Sequence, residues 1–474
     1  MALNASGPIS LAGATAGESI ALELGQSTTG QISLNDTAVR NLAGVPSGAI
    51  TMPTNFWGKS NENYWMGTLS GTSTNGWSSG VDSSGNFYLG GYVNTYWNRG
   101  LSAKYDITGT IQYQNSIGLD GIIGYSPNIY ADSSGNTYLV GNNQYGGQVT
   151  KVNSSGTIQW SKYVSNGKNV QFGGVTTDSS GYVYAVGSGY GLIVDNGYPG
   201  LYVVKFDSSG NIQWQRVIYQ AGTQLSANGV AIDPSGNVFV VGRDTSVGSF
   251  VCKYDSSGNL QWQKNCGGGY TRGIVADSSY AYFNGGYFTG SNEMLFMSVD
   301  SATGTLFGNK LVGRGTYTSD VYSGNGNSIA RDSSGNIYVC GYFNGYQPGY
   351  TNSVGIIVKF AYYGAVIWKR DLLNYDSSKD IQLNAISVRG DSLYINGKIG
   401  SADLFLKVPS DGSKTGYYVV GGNGLYYQSS NRVEAGLYNP TSTTSYTTGT
   451  PSEGINDTGF TTAGLGNTSS VTII

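Results

Sequence analysis

The feature that most restricts this chain is a short element, Asp-Ser-Ser-Gly-Asn followed by an alternating aromatic and aliphatic run that ends in Gly. It occurs as DSSGNFYLGG (Asp82 to Gly91), DSSGNTYLVG (Asp132 to Gly141), DSSGYVYAVG (Asp178 to Gly187), DPSGNVFVVG (Asp233 to Gly242) and DSSGNIYVCG (Asp332 to Gly341). Looser copies are DSSYAYFNGG (Asp277 to Gly286) and GDSLYING (Gly390 to Gly397). The seven turn aspartates, Asp82, Asp132, Asp178, Asp233, Asp277, Asp332 and Asp391, recur at intervals of about 44 to 59 residues. Self-similarity at such a period means one supersecondary unit per repeat.

A second element follows each first one: a strand ending in Lys, a turn, and a strand usually carrying Trp. KVNSSGTIQW (Lys151 to Trp160), KFDSSGNIQW (Lys205 to Trp214) and KYDSSGNLQW (Lys253 to Trp262) are close copies, while KFAYYGAVIW (Lys359 to Trp368) and KYDITGTIQY (Lys104 to Tyr113) diverge. Each unit therefore holds two β-hairpins. The turn chemistry supports this, because Asp accepts a backbone N–H two residues on and Gly supplies the positive φ of a bulged hairpin loop. Pro234, in the place of the first Ser, has the fixed φ that such a turn wants.

Alternation assigns the faces. In Asn237-Val-Phe-Val-Val241 both faces are apolar, which predicts a strand buried between neighbouring sheets; Ile212-Gln-Trp-Gln-Arg216 alternates and reads as half exposed near the rim. Seven units of two hairpins predict an all-β fold, a seven-bladed β-propeller of four-stranded blades around a channel over residues 61–420. Closing the ring removes the open edges of a linear stack. Two segments compete to close it: Asn63 to Ser70, which resembles the Trp-bearing outer strand, and Lys414 to Val420.

Residues 64–420 resemble the bacterial SBBP repeat family, through the D-x-x-G-N-x-Y-v-x-G pattern and the following K-x-d-x-x-G-x-x-x-W hairpin. The resemblance implies the seven-bladed fold, and fold does not fix function.

Residues 1–60 read as a separate module. Ser33 to Gly44 predicts a short helix with Asn35 or Asp36 as cap and Gly44 as stop. The stretch ISLNDTAVRNLAGVPSGAI, with FWGKS after it, is similar to N-terminal modules of tailed-phage virion and tail-fibre proteins. That resemblance implies a virion-anchoring module that contacts other virion proteins, with the propeller displayed outward. Residues 421–474 are rich in Thr, Ser, Asn and Gly, and Ser442 to Gly454 reads as linker or irregular strand.

Composition narrows the chemistry. The 474 residues include 74 Gly and 38 Tyr but no His, charged residues are 11%, and the net charge is −3. With no clustered Lys and Arg, nucleic acid is not an expected partner. No apolar run is long enough for a membrane span. The N-terminus lacks the basic and apolar regions of a secretory signal, which together with the sparse charge suggests release by lysis. Lacking His, the chain has no Ser-His-Asp triad, and Cys252, Cys266 and Cys340 are not in metal-ligand spacing. The Asp turns carry one carboxylate each, too few for calcium. Gly58-Lys-Ser60 has Pro53 where a phosphate loop needs Gly, and Arg389-Gly-Asp-Ser392 falls on a repeat turn. No enzymatic activity, cofactor or metal is expected.

The loops differ between the two faces of the disc. The first and third turns of each blade are short and uniform; the others vary in length and carry aromatics. Tyr92, Tyr96, Trp97, Tyr145, Tyr190, Tyr198, Tyr287, Tyr342 and Tyr346 are the candidate ligand-binding residues of that variable face, whose loops also carry Phe288, Phe343 and Tyr350. Flat rings with a polar edge suit sugars or protein surfaces. The expectation is a virion protein, tail fibre or fibre-like appendage, that binds a host-surface glycan or protein. Alternatives are a capsid decoration or baseplate component making subunit contacts, homo-oligomers included, and a bacterial surface propeller adhesin.

Overall fold

The structure is a computed structural model. It describes residues 19–24, 33–34, 36–43 and 50, and residues 64–473 apart from 71–73, 94–98, 118–127, 144–145, 166–169, 191–197, 221, 247, 268, 289–291, 314–323, 345–351, 376–377, 421, 431–433, 436–441, 444–446, 450–453, 458–461 and 465–467. Two compact units divide the chain, Met1–Tyr64 and Trp65–Ile474.

In the first unit, the helix Thr37–Ala43 follows Asp36, whose carboxylate accepts the Ser33 N–H at 2.8 Å and whose carbonyl accepts the Arg40 N–H. Asp36 thus stands at the cap position; Asn35 and Gly44 lie outside the described residues. Val39, Leu42 and Ala43 pack with Ile20 of the short helix Ile20–Glu23 in a small core.

The second unit is a seven-bladed β-propeller of four-stranded antiparallel blades. Blades 1 to 6 span 74–117, 128–165, 170–219, 225–267, 270–312 and 324–374 in chain order, each strand pairing with the next. Blade 7 takes three strands, Ile381–Arg389, Ser392–Ile399 and Ala402–Pro409, and its outer strand is Trp65–Ser70. The inner strands of successive blades contact one another around the full circle, including blade 7 to blade 1.

Of the two competing closing segments, Trp65–Ser70 is therefore the latch. The register explains the outcome. Trp65 lies opposite Lys407 in the same pairing that sets Trp160 opposite Lys151, Trp214 opposite Lys205 and Trp262 opposite Lys253. Gly416–Val420, from the other segment, is placed instead at the edge of blade 6, pairing with Asn423–Ser429.

Each signature residue has a physical role. The Asp82 carboxylate accepts the Ser84 and Asn86 N–H groups on one oxygen, and on the other the Asn86 amide at 2.7 Å and the Tyr88 hydroxyl at 2.9 Å. Asp132 and Asp332 make the same bonds to Asn and Tyr at the fourth and sixth positions, so the carboxylate saturates the turn and ties it to its strand. The turn glycines have φ near +80°, as at Gly85 and Gly236. The terminal Gly faces a β-bulge in the inner strand: a methyl on Gly187, Gly242, Gly285 or Gly341 would collide with the carbonyl oxygen opposite.

Alternate side chains of Val238–Val241 enter two different cores, Val238 and Val240 toward blade 3, Phe239 and Val241 toward blade 5. Burying such a side chain contributes about 1.5–3 kcal/mol, so each blade is held from both sides. Polar clasps add to this. Lys and Trp of one blade reach the third turn of the next: Lys253 Nζ and Trp262 Nε1 both donate to the Ser301 carbonyl, at 2.9 and 3.0 Å. Lys205 and Trp214 do so at Ser256, and the latch indole of Trp65 donates to Ile107 of blade 1. Bulged inner-strand asparagines cross to the next blade as well: Asn228 to Thr271, Asn327 to Leu383 and Asn384 to Gly76, all within 2.7–2.8 Å.

The described residues between 423 and 473 form a series of strands, short ones within Ser442 to Gly454, which the sequence reads as linker or irregular strand. They run back around the disc and add one strand to the outer edge of every blade. Asn423–Ser429 pairs with blade 6, Glu434–Ala435 with blade 5, Ser442–Thr443 with blade 4 and Thr447–Gly449 with blade 3. Gly454–Asp457 pairs with blade 2, Thr462–Gly464 with blade 1, and Thr468–Ile473 with the latch strand itself. Among the described residues, no helix is long and apolar enough to cross a membrane.

Candidate functional site

The blade geometry places the Asp turns, first and third in each blade, on one side of the disc and the second loops and blade connections on the other. On that loop side the candidate aromatics are distributed, not gathered. Tyr190 and Tyr198 flank the second loop of blade 3 and are 42% and 40% exposed. Tyr92 ends the second strand of blade 1 and is half-buried. Tyr287 packs against the core between blades 4 and 5. Tyr342 ends the second strand of blade 6 and lines the central channel. Phe343, one residue on, is fully buried in the core between blades 5 and 6 and offers no ligand surface. It points to the opposite side of its strand from Tyr342, as alternation requires. Tyr96, Trp97, Tyr145 and Tyr346 lie outside the described residues.

The central channel, expected from the fold, has a lining that the sequence reading did not single out. It encloses roughly 1210 Å³ and is lined by the inner strands of all seven blades. Its described lining contains three arginines, Arg243, Arg272 and Arg331, and no Asp or Glu. Arg331 is neutralised by Asp277 at 3.0 Å near the Asp-turn side. Arg243 and Arg272 sit at the loop-side mouth, are exposed, and have no acidic partner among the described residues. Arg272 lies over the Tyr270 ring, 5.3 Å from its centroid. Burial pushes the Tyr270 phenol up, while the Arg272 and Arg243 charges pull it down, so both guanidinium groups act on this ring. The ring rests on Gly286, where a Cβ would come within 2.7 Å of its hydroxyl.

Sequence reading missed this mouth, although a signal existed. The residue after the repeat glycine that pairs with the inner strand falls at the inner loop-side rim; aligned by register, that column reads Tyr92, Asn142, Ser188, Arg243, Gly286, Tyr342 and Lys398.

The Asp-turn side, expected to be uniform, carries one exposed aromatic patch. In blade 6 the third turn reads Ala361-Tyr-Tyr-Gly364, and Tyr362 and Tyr363 are 50% and 56% exposed. Tyr362 stacks on Phe307 at 6.4 Å, and Phe307 lies 4.3 Å from Tyr280, which takes the place of the turn Asn in a blade 5 turn one residue shorter than the Asp-Ser-Ser-Gly turns and without their Gly. Two neighbouring turns therefore depart from the repeat together.

Among known families, the beta-propeller repeat called SBBP matches residues 214–243, from the outer strand of blade 3 through the second strand of blade 4. No curated protein matches the chain. Solved structures that resemble it include a protein of unknown function from Bacteroides caccae, 12% identical, covering 65% of this chain and 93% of that one with a TM-score of 0.39. The WD40 beta propeller domain of Doa1 is 11% identical, covering 72% and 96% with a TM-score of 0.40. A chain of the Mitotic Checkpoint Complex is 10% identical, covering 70% and 86% with a TM-score of 0.45.

Proposed function

We propose that this chain is a non-enzymatic recognition protein of a virion, a tail fibre or fibre-like appendage, whose propeller binds a host-surface glycan or protein through its loop side. The observation that carries the reading is the division of the disc. Lys and Trp clasps tie neighbouring blades together on the turn side, and the loops assigned to the other side vary in sequence and carry aromatics, the arrangement of a rigid scaffold with a recognition surface. The virion assignment rests on the resemblance of the N-terminal module, residues 1–60, to phage virion modules, with those residues contacting other virion proteins. Catalysis is disfavoured because the chain has no His and the described channel lining offers no carboxylate as acid or base. The test is binding of the purified full chain to a panel of bacterial cells, beside a Tyr190→Ala/Tyr198→Ala variant. Retention on some strains, weakened in the variant, is expected; retention on none refutes the reading.

The aromatic patch of Tyr280, Phe307, Tyr362 and Tyr363 favours a second reading, a capsid decoration or baseplate protein whose turn side makes subunit contacts. Gold-labelled antibody on particles separates the two, by label at the tail tip or over the capsid.

A further inference from the structure

We propose that the loop-side mouth of the channel binds an acidic saccharide, a sugar unit that bears a carboxylate. The inference rests on the recognition reading above and gives it a ligand class and a place.

The argument begins with charge. In a chain of net charge −3, the described channel lining holds arginines and no acids, and the two at the mouth have no ion-pair partner among the described residues. Unpaired guanidinium groups at a concave mouth with low-dielectric walls attract anions, and their planar fork matches a carboxylate through two parallel hydrogen bonds. Blade 4 supplies Arg243, at the end of its second strand opposite Ser226 and Ser249. Blade 5 supplies Arg272 with Tyr270, and blade 6 supplies Tyr342 opposite Asn325. The groups thus come from three adjacent blades and are brought together by the stacking of their inner strands.

The remaining chemistry selects a sugar over a bare anion. Tyr342, half-buried on the lining, brings an aromatic ring of the kind that sugar C–H surfaces cover, and Tyr270 a phenol hydroxyl. Asn325, Gln382 and Ser226, all on the lining, offer amide and hydroxyl groups to sugar hydroxyls. The Tyr270 ring is held on both sides, by Gly286 beneath and the Arg272 guanidinium above, so its position is fixed before a ligand arrives. The channel volume of roughly 1210 Å³ exceeds what a single ion needs and accommodates several sugar units.

The test is an array of neutral, carboxylate-bearing and phosphate-bearing saccharides probed with the full chain and with Arg243→Gln/Arg272→Gln. Both arginines are exposed and outside the cores, so the variant retains its fold, which circular dichroism checks. Retention confined to carboxylate-bearing glycans, weakened about tenfold or more in the variant and by added salt, is expected. Three results overturn the proposal: no carboxylate-bearing glycan retained, retention unchanged in the variant, or inorganic phosphate competing as well as the acidic sugar. Cell binding keeps the two readings apart. A variant that still binds cells as the unaltered chain does refutes the channel site and leaves loop-side recognition standing, whereas no cell binding by the unaltered chain refutes the broader reading.

Discussion

The shared clasp at Ser301 makes a quantitative prediction. Trp262→Phe keeps a ring against Phe239 and removes only the indole N–H, so it costs about 1 kcal/mol, the net worth of one hydrogen bond. Lys253→Met removes bonds to the Ser301 carbonyl and hydroxyl and the contact over the Phe239 ring at 5.2 Å, at a cost of about 1–2 kcal/mol. In either single variant the Ser301 carbonyl keeps one donor. In the double variant it keeps neither, and Ser301 is only 3% exposed. The orphaned carbonyl adds about 1–2 kcal/mol beyond the sum of the single changes. Blade 6 supplies the control, because the Trp368 indole N–H is buried without an acceptor and Trp368→Phe costs only a few tenths of a kcal/mol. Guanidinium unfolding followed by far-ultraviolet circular dichroism measures all four. Additivity within about 0.5 kcal/mol, or a Trp368→Phe cost equal to that of Trp262→Phe, would refute the shared-acceptor argument.

Three further outcomes follow from the same structure. Burial pushes the Asp82 carboxyl up, but its bonds from Asn86, Tyr88 and Ser84 outweigh that and hold it below its ordinary value of 3.8; Asp207, Asp255 and Asp300 are lowered in the same way. A depressed folded value stabilises fully above the unfolded one, so thermal stability should be flat from neutral pH to about pH 5 and fall below about pH 4. A midpoint unchanged down to pH 3 would contradict this. Burial pushes the Cys266 thiol up to about 12 and those of Cys252 and Cys340 further, so the native chain should not react with a disulfide reagent at pH 8, while the unfolded chain yields all three thiols. Ending the chain after Ser430 uncovers the outer edges of six blades, and light scattering should show association absent from the full chain; an equal mass for both would count against an edge-covering role.

Much of the propeller was legible because its signals are local. The Asp turn satisfies its own carboxylate within six residues, and the strand that follows reports its burial through strict alternation, as Val238 to Val241 show. The latch was half legible. Trp65 marked an outer strand, but only the register against Lys407 decided between it and Gly416–Val420. The edge strands of residues 434–464 were legible only as linker or irregular strand over Ser442 to Gly454, since segments of two to four residues pair through backbone groups that carry no side-chain pattern. The channel mouth was hidden for another reason. Arg243, Arg272 and Tyr342 belong to three different blades and meet only when those blades stack.

The returning C-terminal strands couple blade number to chain length. An open repeat array gains or loses a unit by duplication or deletion, since each unit touches only its neighbours. Here a lost blade would leave the tail one station too long, and an added blade would leave it one station short of Thr468–Ile473, the strand that pairs with the latch. Unequal recombination between the near-identical Asp-Ser-Ser-Gly segments would therefore yield a ring whose tail no longer fits. The tail acts as a ruler that holds the count at seven while the loops stay free to vary.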